Sequence, residues 1–176
     1  MPRGAAGAFA KLAAVVFVAM LVVVPRRARA WVDLKVAADD IHVTVERNGK
    51  ARVEHRVTLL VSGGPLEKVQ IKGVDADAEV EPDGYVILEK DAAKGQAGAL
   101  PITPLRETHP DPAGADRTDL TIDLADGEGT KRGSYILVVR YTTDLRASGA
   151  LVRDGATELL TWTGPSWDDG LDATKA

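Results

Sequence analysis

The sequence predicts an all-β domain, a two-sheet antiparallel β-sandwich of about eight strands, behind a cleavable signal peptide. Three observations predict it. Apolar and polar residues alternate with a period of two through most of the chain after residue 30, and turns bearing glycine or proline recur at strand-length spacing. No window offers an amphipathic helix of more than two turns.

The leader comes first. Arg3 and Lys11 give a positive start, residues 12–24 form an uninterrupted apolar run, Pro25 breaks it, and Ala28-Arg29-Ala30 supplies a small-x-small cleavage pattern. The run is thirteen residues long; as a helix it would reach roughly 20 Å, short of the ~30 Å hydrocarbon core, so cleavage before Trp31 is expected rather than an anchor. The pair Arg26-Arg27 follows the apolar run, which points to the general secretory route rather than twin-arginine export. The chain has no cysteine, so neither lipid attachment nor a disulfide is available.

Removal of residues 1–30 leaves 146 residues, enough for one domain that buries roughly two thirds of its unfolded surface. Five of the 22 basic residues lie in the leader, so 17 basic face 26 acidic groups afterwards, a formal charge of −9. That balance argues against nucleic acid and anionic membrane surfaces as partners. No later apolar run is long enough to span a membrane, and an exported product, periplasmic or extracellular, is expected.

Ile41, Val43 and Val45 alternate with His42, Thr44 and Glu46, and Ala51, Val53, His55, Val57 and Leu59 alternate with Arg52, Glu54, Arg56 and Thr58. A two-residue turn at Asn48-Gly49 would set Val45 opposite Arg52. A three-residue loop with Gly49 in the left-handed conformation instead pairs Val45 with Ala51, Val43 with Val53 and Ile41 with His55. The outer face then sets Glu46 opposite Lys50 and His42 opposite Glu54.

Ser62-Gly63-Gly64-Pro65 ends the second strand, and residues 66–72 form a third with Val69 and Ile71 inward. Pro82-Asp83-Gly84 is a turn joining a short strand at 78–81 to another at 85–88. Residues 91–117, with Pro101, Pro104, Pro110 and Pro112, read as a long loop or an edge excursion. Strand character resumes with Leu120, Ile122 and Leu124, then the turn Asp126-Gly127-Glu128-Gly129. Residues 134–143 carry apolar side chains on both faces: Tyr135, Leu137, Val139 and Tyr141 on one, Ile136 and Val138 on the other. That strand is expected at the centre of a sheet. A last strand is expected at 157–163, with Leu160 and Trp162 sharing a face. The domain so read runs from 31 to 172, with 173–176 as a tail and a point of truncation. The alternative is a small barrel, or two unequal β lobes split at the proline-rich loop.

Chemistry-bearing motifs are sparse. None of Ser62, Ser134, Ser148 and Ser166 stands in a nucleophile elbow, so no catalytic residue is assigned and no enzymatic activity is expected. In the preferred register His42 and His55 face opposite ways, and His109 lies in the proline-rich segment. His55 therefore reads as a satisfied core histidine, and no cofactor is expected. Asp168, Asp169 and Asp172 around Gly170 place three carboxylates on one turn, a loose calcium-loop pattern and the one metal candidate. Trp162 and Trp167 flank Gly164-Pro165 and offer either a platform for a glycan or partner protein, or a cap on the core.

The succession 131–135, 141–145 and 160–172, with its Thr161-Trp162-Thr163-Gly164-Pro165-Ser166-Trp167-Asp168-Asp169-Gly170 run, resembles the exported β-rich region of uncharacterised bacterial envelope proteins. The resemblance covers the last third of the chain and implies further β structure and often a membrane anchor beyond it. It carries no catalytic residues. It implies a non-enzymatic interaction or structural role in the cell envelope, with a glycan- or calcium-binding module at 162–172 as the alternative.

Overall fold

A computed structural model describes residues 31–110, 117–167 and 174–175. The leader and the three carboxylates Asp168, Asp169 and Asp172 lie outside these described residues. The fold is all-β and largely antiparallel, with one short helix.

The first hairpin joins β1 (Val32–Val45) to β2 (Lys50–Gly63) in the register that facing demands: Val45 opposite Ala51, Val43 opposite Val53, Ile41 opposite His55 and His42 opposite Glu54. Gly49 has φ +93° and its N–H donates to the Glu46 carbonyl, closing the three-residue loop. Strand β1 starts well before the alternation noticed at Ile41. Its register shifts between Val36 and Ala38, a bulge that changes which parity faces inward. Val36 is therefore inward on one side of the bulge, and Asp39 and Ile41 on the other.

Strand β8 (Gly133–Asp144) pairs with β2 from Lys50↔Asp144 to Val61↔Gly133 and is the central strand. On its other edge it pairs with both β4 (Glu79–Val80) and β5 (Tyr85–Leu88). The Pro82-Asp83-Gly84 turn therefore does not reverse the chain. It offsets one edge line, β4 then β5, along the same neighbour. Gly84 fits because a Cβ there would stand 2.5 Å from Ile102 Cδ1 and 3.0 Å from the Val138 carbonyl. Ile136 and Val138 are buried on the outer face beside Ile87, where α1 (Glu89–Ala92) and the following residues cover them through Ala92 and Ala99.

Residues 100–109 of the proline-rich stretch are strand rather than loop: β6 (Leu100–His109) pairs from Ile102 onward with β7 (Arg117–Leu124). Its other edge meets β5 only at Leu100 and Pro101. Pro104 pairs with Ile122 while lacking an N–H on an edge that needs none, which is how proline is tolerated in strands. Strand β7 pairs in turn with β3 (Lys68–Val74).

Ten strands thus form one continuous sheet, nearly barrel-shaped, where two separate sheets were expected. Its two outermost members, β11 (Ser166–Trp167) on β3 and β12 (Thr174–Lys175) on β1, stand at opposite ends of the strand order. The interior is one apolar cluster drawn from β1, β2 and β8 on one wall and β3, β6 and β7 on the other. The last predicted strand is shorter than expected. It is β10 (Thr157–Leu160), pairing only with β9 (Leu151–Asp154) in a separate hairpin whose β10 residues are all exposed.

Candidate functional site

Three neighbouring strands place a polar chain inside the apolar interior. Asp39 on β1 lies opposite Val57, two residues along from His55 on β2; His55 lies opposite Val139, two residues along from Tyr141 on β8. Such diagonal neighbours are within reach of long and aromatic side chains. His55 Nδ1 stands 2.8 Å from Asp39 Oδ2, and Nε2 stands 3.4 Å from the Tyr141 hydroxyl, with the two rings stacked at 5.7 Å. Trp167 Nε1–H donates to the same Asp39 Oδ2 at 2.9 Å, and its indole meets the imidazole edge-on at 6.4 Å. Asp39, His55 and Tyr141 are at most 1% exposed.

Burial is the main cause of a Tyr141 hydroxyl pKa pushed far above the ordinary tyrosine value, with the like charges of Asp75 and Asp39 adding to it. The phenol therefore stays protonated. Asp39 Oδ2 already accepts from the Trp167 indole N–H, so the proton between it and His55 sits on Nδ1, and Nε2 faces the Tyr141 hydroxyl. Asp39 Oδ1 has no hydrogen-bond partner among the described residues.

An imidazole held by a carboxylate with its far nitrogen on a hydroxyl is the arrangement a general base uses. Here the hydroxyl is a buried phenol of raised pKa, and no surface of His55 meets solvent. The chain of bonds ties β1, β2, β8 and β11 together in the interior.

Trp162 is half-buried and its Nε1–H donates to Asp75 Oδ2 at 3.1 Å, while Trp167 is 6% exposed. The two tryptophans read from the sequence as platform or cap are thus both engaged through their indole N–H by an aspartate. Of the other histidines, His42 is exposed on β1 and His109 ends β6 with Nε2 3.8 Å from Glu107 and 3.9 Å from Asp119. No group of three or more histidine, cysteine, aspartate or glutamate side chains with metal-holding geometry occurs among the described residues. The calcium-loop residues Asp168, Asp169 and Asp172 lie outside them.

A surface recess of about 230 Å³ is lined by Lys50, Asp77, Glu79, Thr142, Thr143 and Asp144. Two of its carboxylates are already engaged: Asp77 accepts from the Thr143 hydroxyl and the Asp144 N–H, and Asp144 accepts from the Arg146 and Ala147 N–H groups.

The interior tie was only half legible in the sequence. His55 and Tyr141 stand on inward parities, and so does Asp39 when the Ile41–Val43 alternation is extended back by two residues, but an aspartate in a strand pattern carries no local signal of burial. No family model and no curated protein matches this chain.

Proposed function

We propose that this chain is exported through the secretory route and that the domain from Trp31 onward is a non-enzymatic module with a structural or interaction role in the bacterial cell envelope. The observation that carries this reading is the use of the chain's catalytic-type side chains as an interior tie: Asp39, His55 and Tyr141 are spent on one another and on Trp167, under the surface. The leader pattern and the resemblance of residues 131–135, 141–145 and 160–172 to envelope proteins supply the compartment. No helix among the described residues is long and apolar enough to cross a membrane.

The fold suits that role. The walls β1–β2–β8–β5 and β3–β7–β6 meet at the two-residue β5–β6 contact, so the barrel is best treated as a flattened one whose halves pack as a sandwich does. Such a scaffold gains its stability from one shared core and leaves loops and edges available for contacts.

Expression of the full chain in a bacterial host, followed by fractionation and intact-mass measurement, tests this reading. The expected result is an envelope-fraction protein whose mass begins at Trp31. A cytoplasmic protein that keeps residues 1–30 overturns it.

A further inference from the structure

The nearly closed sheet has a seam. Strands β1 and β3 do not pair with each other, and the described link across that gap runs through the residues that lead into β11. Segment 162–167 crosses it with very little backbone pairing. Only Ser166↔Lys72 and Trp167↔Ile71 join it to β3, and residues 161–165 form no strand. The hold comes from two indoles of the same segment, Trp162 on Asp75 and Trp167 on Asp39, with Gly164 lying close over Ile41.

We propose that segment 162–167 is a strap that opens and closes over this seam as a unit, with the Asp39–Trp167 hydrogen bond as its latch. Regions with few paired backbone groups open at lower free energy than the core, and the contrast with the long β2–β8 ladder is large. Opening bares two things at once. The Asp39–His55 pair, at 1% and 0% exposure when closed, meets solvent. The outer edge of β3 loses its partner at Ile71 and Lys72, leaving an unpaired edge of the kind that accepts an added strand. The latch therefore governs access to both, and it operates whether or not the chain is exported.

Hydrogen exchange of the indole protons, followed by NMR on the unaltered protein at increasing urea, tests the strap. The expected result is that the Trp162 and Trp167 Nε1–H exchange together, on the order of a hundredfold faster than the β8 amides and with a much shallower urea dependence. Exchange of both at the β8 rate and slope would make the segment part of the global unit and overturn the proposal. Independent exchange of the two indoles would overturn it as well.

The latch is read through Trp167→Phe, which keeps the ring and removes the donor. The Trp162 indole should then exchange about tenfold faster, and an unchanged rate removes Asp39–Trp167 as the latch. Because the chain has no cysteine, Lys72→Cys with Ser166→Cys places one clean disulfide across a facing pair. Oxidation should slow both indole protons to the β8 rate and reduction should release them. Equal exchange in the two redox states overturns the strap, and if that variant does not fold, the unaltered protein alone decides.

Discussion

Along β8, Tyr135, Leu137, Val139 and Tyr141 are at most 6% exposed, whereas Leu159 and Leu160 on β10 are 57% and 46% exposed. Both strands carry leucines, and both sit in hairpin or ladder pairings of good register. What separates them is the number of layers around them. Strand β8 has partners on both edges, the β3–β7–β6 wall across the core, and Ala92 and Ala99 packed on its outer face. The β9–β10 hairpin has two strands and is tied to the body by Leu151 against Ala51 and Leu145, and by Arg146 on Glu158. Two strands alone cannot cover both of their faces. Apolar pattern thus records a capacity for burial, and the presence of a facing layer decides whether it is used.

The comparison can be broken first at the interior tie. Asp39→Leu should destabilise by roughly 3–5 kcal/mol in urea unfolding, because it strands the N–H groups of His55 and Trp167 in an apolar interior. Adding His55→Leu should recover only part of that loss, since one stranded donor goes with it while the Trp167 N–H and now the Tyr141 hydroxyl are left without their partners. A double variant no more stable than the single one would show that the tie does more than satisfy its own members.

Tyr141→Phe probes the same region from the alkaline side. The folded pKa of Tyr141 is raised above its ordinary 10.0, so its contribution is fully present below pH 10.0 and is lost as pH rises beyond it. The wild type should lose stability above about pH 10, and Tyr141→Phe should lose it less steeply, at a cost near neutrality of about 1 kcal/mol. Tyr135 is shifted in the same direction, so part of the slope stays. Urea midpoints compared across that range check it.

Gly49 lies at the hairpin end of the buried wall. Gly49→Ala should cost roughly 1–2 kcal/mol through the positive φ alone. Asparagine tolerates that φ, but any Cβ here stands 2.7 Å from Arg146 Cβ. Gly49→Asn should therefore cost nearly as much in wild type and clearly less in an Arg146→Gly background, which removes that Cβ, as thermal melts of the four proteins would show. The smallest effect belongs to the exposed hairpin: Leu159→Thr should change the unfolding free energy by no more than about 0.5 kcal/mol. A loss several times larger would mean that the β9–β10 face is covered in solution.

Local rules reached far into this fold. The alternation on either side of Arg47-Asn48-Gly49 determined the register of the first hairpin, since only one loop length puts Val43, Val45, Val53 and Ala51 on a single face. The doubled apolar pattern of residues 134–143 determined that this strand is central. Both depend on neighbours a few residues apart, which a sequence displays directly.

Only the tertiary structure decided the rest. Pro104 argues for loop until the free edge of β6 removes the need for its missing donor, and Pro101 stands at the two-residue contact with β5, opposite Tyr85. Asp39 shares the inward parity of Ile41, but the partners that make a carboxylate tolerable there, His55 and Trp167, arrive from 16 and 128 residues away. Trp162 and Trp167 admit both platform and cap, because an indole's exposure is set by what crosses it and its sequence neighbours contain no record of that. In each case the deciding partner is distant in sequence, and burial, which sets the cost of an unpaired polar group, exists only once the walls have met.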